Sequence, residues 1–320
     1  MGTMAEQAAA IEDARTLLVD HEYRVLRPFR GGGRTYHRPE PAEPAPLQVG
    51  LMIDTETTGP DVARDQIIQL AAVPFLYRTD SGAIVEVHAG LTMYEEPTVP
   101  ISPEAAAVHG ISMARLAGQR FDEAALSVLF AQADLVLAHN AAFDRPMLDR
   151  RFPALPARPW GCTYQDIPWR RAKYPSASLS ALLIEHTEHY FAGHDAADDC
   201  YAALHCLAYP FAPWADATDA DQWPLVHVLH RIAKPAARIF AVGAPFDLKD
   251  RLQQRGYRWN DPTKAGAAMP RAPKAWWREV SAAEHETELA WLDAHIFHGT
   301  AALRAVVQTV DPTTRFSRAA

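Results

Sequence analysis

The run LMIDTE at residues 51–56 sets an aspartate and a glutamate one residue apart at the end of an apolar strand. Side chains alternate faces along a strand, so Asp54 and Glu56 point the same way, while Leu51, Met52 and Ile53 supply the apolar run of a central strand. Two carboxylates about 6 Å apart repel by roughly 3 kcal/mol at an effective dielectric of about 20, so a chain that keeps both needs something to cancel the charge. A bound cation would do so. The stretch alone also admits a strand that ends at Ile53 and a solvated loop that turns at Gly59, and a lone D-x-E does not separate the two readings.

The surrounding pattern embeds this strand in an α/β sheet. From Leu47 the chain reads as strands (VGLMID, IIQLAAVPFLY, IVEVHAGL), helices (SPEAAAVHG, FDEAALSVLFAQ), a strand (DLVLAHN), a helix (FDRPMLDRRF), then helices around LSALLIEHT and DAADDCYAALHCLA. This predicts a mixed sheet with helices packed against it over residues 48–210. Residues 1–47 read as a helix, periodic over 4–19, followed by a Gly/Pro-rich linker or arm. A connecting segment covers 211–235. A short β-α-β-α pattern (ARIFAVG, PFDLKDRLQQRGY, AWWREV, AEHETELAWLDAHIF) predicts a small basic and aromatic α+β module at 236–300, and 301–320 reads as a tail.

At 320 residues, 48% hydrophobic and 22% charged, the chain has ample material for a core. Cys162, Cys200 and Cys206 form no C-x-x-C pair, which points to a reduced setting and away from cysteine-bound zinc. No basic-then-apolar leader and no uncharged run of membrane-spanning length is present, so a soluble, cytoplasmic protein without membrane contact is expected. The net charge of −8 is unevenly spread. Residues 231–278 hold 11 basic residues against 3 acidic ones, and Lys249, Arg251, Arg255, Arg258, Lys274 and Arg278 interleave there with Tyr257, Trp259, Trp276 and Trp277. That mixture suits phosphate neutralisation with base stacking, or a folded cap whose tryptophans, at least two of Trp259, Trp276, Trp277 and Trp291, are core.

More acids stand where strands meet helices. In ADLVLAHNAAFDRPML, Asn140 sits at the turn and Asp144 in the first helical turn, positions equally suited to a helix cap and a dipole-favoured acid. GHDAADDC puts His194, Asp195, Asp198 and Asp199 at the head of another helix. Each acid has a plain local explanation, but their order does not.

D-x-E on a strand, H-N-x-x-F-D about 90 residues later and H-x-A-x-x-D about 50 further on resemble the DEDDh group of 3′–5′ exonucleases, the superfamily of the proofreading subunit of bacterial replicative polymerase. AAAVHGIS at 105–112, CTYQD at 162–166 and SLSALL at 178–183 echo the same family. The resemblance covers about residues 48–208 and implies a ribonuclease H-like, mixed five-stranded sheet flanked by helices. It implies that Asp54, Glu56, Asp144 and Asp199 hold two Mg²⁺ or Mn²⁺ ions, Asp54 bridging them, Glu56 and Asp199 on the ion that carries the water, and Asp144 on the second. His194 would take the proton of the attacking water, a task suited to an imidazole. Hard cations want oxygen donors, which is why carboxylates recur. The reaction implied is release of nucleoside 5′-monophosphates from a 3′ end.

The resemblance also places His109 and Asn140 at the substrate cleft and offers Thr57, Thr58 and Gly59 for backbone contacts to the terminal nucleotide, beside the plainer reading of a turn. Asp195 and Asp198 read as solvated helix-start residues and His139 as structural; His186, His189 and His205 lack a ligand constellation. The basic module favours single-stranded DNA as partner over RNA ends or short oligoribonucleotides, and the intact carboxylate set argues against a non-catalytic binding module. No protein partner is identifiable, and strandedness, oligomeric state and the roles of the arm and module stay open.

Overall fold

The computed structural model describes residues 3–36, 46–211, 222–233, 236–264, 269, 272–281, 283–299 and 304–317. Helix α1 (Met4–Asp20) opens on a reciprocal cap, in which Thr3 Oγ1 accepts from the Glu6 N–H and the Glu6 carboxylate accepts from the Thr3 N–H. Two short strands follow, β1 (Arg27–Pro28) and β2 (Arg34–Thr35). The larger unit then runs β3 (Leu47–Thr57), β4 (Ile67–Arg78), β5 (Ile84–Val87), β6 (Leu91–Tyr94), α2 (Pro103–His109), α3 (Met113–Leu116) and α4 (Glu123–Gln132). It continues with β7 (Leu135–Ala138), α5 (Ala141–Arg151), β8 (Trp160–Cys162), α6 (Leu179–Thr187), β9 (His189–Tyr190) and α7 (Ala196–Leu207).

The expected mixed sheet is present, with strand order β2-β5-β4-β3-β7-β8 and β6 also on β4. β3 is antiparallel to β4 and parallel to β7, which is parallel to β8. Seven strands stand where five were expected. β5 and β6 pair with successive stretches of β4, Phe75–Tyr77 and Gln69–Ala72, so they share one strand position and leave five, to which β2 adds an edge. The run read as one strand, IVEVHAGL, is therefore broken; within the break the Gly90 N–H donates to the Tyr201 hydroxyl at 2.8 Å.

Alternation along β3 decides what each face packs. Met52 joins Ala71, Val73 and α7 on one side, whereas Leu51 and Ile53 join Leu126, Phe130, Met147 and Leu148 from α4 and α5 on the other. Gly50 is required by close approach, since a Cβ there would lie 2.0 Å from the Phe75 ring.

The segment read as a linker or arm is docked over its described part. β1 pairs in parallel with β9, β2 pairs with β5, and Phe29 is 8% exposed with its ring 4.9 Å from that of His205. Pairing at a sheet edge uses backbone groups, to which Gly/Pro-rich composition is no guide. Residues 37–45 of that reading lie outside the described residues.

The connecting segment contains α8 (Pro224–Ala233), whose Leu225, Val226 and Val228 are buried; its residues 212–221 and 234–235 lie outside the described residues. The C-terminal module comprises β10 (Ala236–Val242), α9 (Lys249–Gln254), β11 (Arg258–Asn260), β12 (Ala275–Ser281), α10 (His285–Leu292) and β13 (Ala305–Val310) in an antiparallel sheet of order β11-β12-β10-β13. β13 lies in what was read as a tail, and the chain beyond it returns to the larger unit. The Trp160 N–H donates to the Pro312 carbonyl at 3.0 Å, and the Arg315 guanidinium forks onto Asp166 at 3.0 and 2.7 Å. None of the four module tryptophans is fully buried; Trp276, Trp277 and Trp291 are half-buried and Trp259 is 48% exposed. Among the described residues no helix is long and apolar enough to cross a membrane.

Candidate active site

The site lies where β7 ends beside parallel β3, which runs four residues further. Ile53 is the partner of Ala138, the last residue of β7, so Asp54 is the first β3 residue beyond that ladder. The chain then turns through His139 and Asn140 into α5, whose first turn carries Asp144. α7 packs on the Met52 face, where Cys200 Sγ meets the Met52 carbonyl at 3.6 Å, and brings Asp199. Asp144 arrives from the opposite face. Thr55, which alternates with Asp54 and Glu56, donates through Oγ1 to Asp144 Oδ1 at 2.8 Å. Beside the acids β4 carries a bulge: Glu56 is opposite Gln69 and Thr57 opposite Ile67, so Ile68 is extra.

Glu56, His194 and Asp199 each offer a ligand atom within 4.8 Å of the others. His194 is exposed and has φ +62°, an uncommon conformation for a residue with a Cβ; its N–H donates to Asp199 Oδ2 at 3.1 Å and so ties the turn to the acid. Burial, then the Asp144, Asp199 and Glu56 charges, push the Asp54 carboxyl far above the usual range. Burial followed by Asp199 and Asp144 pushes Glu56 up to about 8. Burial pushes Asp144 to about 7 against the Thr55 hydrogen bond, and Asp199 to about 7 against the His194 N–H.

These acids are therefore costly to ionise alone. Asp199 Oδ1 is buried without a hydrogen-bond partner among the described residues, and the donors around it are carboxylate oxygens and one imidazole. Both features fit hard divalent cations.

The other expected residues divide. His109 borders the site, with Nδ1 accepting from the Ile111 N–H at 3.0 Å and burial, with His194 nearby, lowering its pKa. Asn140 is at the N-cap position of α5 but makes no side-chain cap bond. Thr57 and Thr58 turn their side chains inward, Thr57 Oγ1 to the Gly59 carbonyl at 2.7 Å and Thr58 Oγ1 to Asp65 at 3.1 Å. The Thr58 N–H and carbonyl are already bonded to Gln66 and Ser102. A Cβ on Gly59 would lie 2.6 Å from the Asp65 carboxylate, so the glycine accommodates that acid. His139 is structural: Nε2 faces the Ala177 carbonyl at 2.9 Å, Nδ1 meets Thr163 Oγ1, and burial lowers its pKa to about 4.

Asp195 is more than a solvated helix start. Its Oδ1 caps α7 by accepting from the Ala197 and Asp198 N–H groups, and its Oδ2 accepts from Gln69 Nε2 at 2.8 Å. Gln69, wholly buried in β4, also accepts from the Ala196 N–H and donates to the Tyr94 hydroxyl, so it fixes where α7 begins. Its signal was a lone amide inside IIQLAAVPFLY. Thr55 had no comparable signal, because a threonine between two acids on a strand is ordinary.

Comparison with known proteins gives the following. Residues 51–207 match the family described as exonuclease. Exodeoxyribonuclease 10 of Escherichia coli (strain K12) is 32% identical over 154 residues, 47% of this chain and 63% of that protein. The DNA polymerase III epsilon subunit of Pasteurella multocida (strain Pm70) is 32% identical over 112 residues, 33% of this chain and 42% of that one. Exonuclease X in complex with 5′ overhanging duplex DNA aligns at 26% identity and a TM-score of 0.35, covering 56% of this chain and 99% of that chain. The chain thus spans less than two thirds of the length of these curated relatives.

Proposed function

From a chain whose residues 51–207 belong to the exonuclease family, a family dependent on divalent metal, we infer a 3′–5′ exonuclease that releases nucleoside 5′-monophosphates from DNA. The observation that carries the reading is the convergence of Asp54, Glu56, Asp144 and Asp199 beside exposed His194 at the ends of β3 and β7. DNA is the substrate because the relative matched over most of its length is an exodeoxyribonuclease. A single strand suits a cleft followed in the chain by the basic window 231–278.

Asp54, Glu56 and Asp199, with Asp144 on the far side, would hold two Mg²⁺ or Mn²⁺ ions. Bound there, the cations supply charge neutralisation and a more acidic water. His194, open to solvent beside Glu56 and Asp199, would accept a proton from the attacking water as its oxygen bonds phosphorus and the bond to the 3′ oxygen breaks; the departing 3′ oxygen takes up a proton from solvent, and His194 returns its own to solvent. Thr55 holds the Asp144 carboxylate in register, and the Asp199 bond to the His194 N–H holds the imidazole at the site's mouth. His109 and Asn140 border the substrate.

The test is digestion of 5′-labelled single-stranded DNA, duplex DNA and RNA with Mg²⁺ or Mn²⁺. A ladder shortening from the 3′ end of single-stranded DNA is expected. Preferential RNA digestion would replace the DNA reading with RNA trimming, and no digestion of any of the three would refute the enzyme.

A further inference from the structure

Between the larger unit and the C-terminal module lies a cavity of about 370 Å³. Ala142 at the start of α5 and Gln165 after β8 form one wall, β11 and β12 the other. Five arginines line it: Arg231, Arg238, Arg258, Arg278 and Arg315. Against them stand two carboxylates, Asp166 and Glu279, so five positive and two negative groups leave a net +3 on the lining.

How these charges pair decides what the cavity would take. Arg315, 4% exposed, satisfies Asp166, yet its Nε is buried without a partner among the described residues. Glu279 is shared at 3.4–3.5 Å by Arg231, Arg238 and Arg315, contacts too long to saturate three guanidiniums. Arg278 shares buried Glu288 with Arg255. Arg258 has no carboxylate partner among the described residues and lies 6.0 Å from the centre of the ring of Trp277, its register partner on the same face of the sheet, while exposed Trp259 also lines the cavity. Surplus guanidiniums select phosphate oxygens, and an open indole offers a face to a base.

Building on the exonuclease reading, we propose that this cavity is a second nucleic-acid subsite, gripping a phosphate and a base of the single strand upstream of its 3′ end. Its wall includes Ala142 in the first turn of α5, the turn that carries Asp144 on another side of the helix, so cavity and acids share that end of α5. Elsewhere in the basic run Arg255 is paired to Glu288 and Lys274 to Asp261.

The test uses the full chain in EDTA, with unlabelled oligothymidylates of 3 and 12 nucleotides competed against a labelled strand. Wild-type protein should prefer the 12-mer. Arg258→Ala and Trp259→Ala, both at exposed positions, should each reduce that preference about tenfold, and Arg258→Ala should lower the slope of log affinity against log salt by about one. Unchanged preference and slope in both variants overturn the subsite, even with digestion intact. A nucleoside monophosphate that binds Arg258-dependently without altering the 12-mer preference also overturns it, by making the cavity a mononucleotide site. Should the wild type neither bind either length in EDTA nor digest either once Mg²⁺ is supplied, the exonuclease reading itself fails.

Discussion

Thr55 Oγ1 donates to Asp144 Oδ1 at 2.8 Å across the end of β3, so the strand that carries two of the acids also orients the one from α5. Thr55→Val keeps the shape and removes the bond. The Asp144 carboxyl, already near 7, should rise further, because the bond lowers it. Activity at pH 7 should fall about 10- to 100-fold as an oriented ligand is lost, with part restored by more Mn²⁺ or higher pH. Titrating activity against Mn²⁺ at pH 7 and 8.5 checks this; equal curves for variant and wild type refute it.

The acids make metal-free stability depend on pH. Glu56 titrates near 8 and Asp144 and Asp199 near 7 in the folded protein, against about 4 for unfolded carboxylates. Between these values the native state keeps protons that the unfolded chain has released, so the contribution of these groups falls as pH rises from about 4 to about 8. In EDTA the melting temperature of Asp54→Asn should therefore gain on wild type steadily across that window. Mn²⁺ should stabilise wild type more at pH 8 than at 5.5. A constant difference between the two proteins at every pH would contradict the linkage.

His194→Ala should cost on the order of 10²- to 10⁴-fold in turnover if its imidazole takes the water's proton. The matched control is Asp198→Asn, exposed and making no side-chain hydrogen bond among the described residues, which should stay near wild type. Asp195→Ala is a poor control: it strips the α7 cap and the Gln69 bond, with about 1 kcal/mol of stability lost to the cap alone. Steady-state rates and melting curves on the three variants separate these effects. Equal losses in His194→Ala and Asp198→Asn would remove His194 from the mechanism.

Arg315→Leu leaves Asp166 buried without its partner, and breaking such a pair costs roughly 3–5 kcal/mol. Chemical denaturation should show it. A truncation before β13 should destabilise as well, since β10 loses its edge partner and Trp160 its bond to Pro312. A stable shortened protein would mean that the tail merely rests on the fold.

The order of the acids, their place at strand ends and the helix heads that carry them were legible in the sequence, because side-chain period and helix-start chemistry are local. Residues 51–56 and 194–199 announce a charged cluster whatever the rest of the chain does. Folding decided what depends on distant partners. The arm docks through backbone pairing of β1 and β2 and the burial of Phe29, which Gly/Pro content does not encode. Part of the basic surplus at 231–278 is offset by Glu279 and Glu288, acids just past that window that meet Arg231, Arg238, Arg255 and Arg278 only once the chain has folded. Thr55 and Gln69 gained their positions the same way, since a hydrogen bond between residues 89 or 126 positions apart exists only when the sheet and helices bring them together.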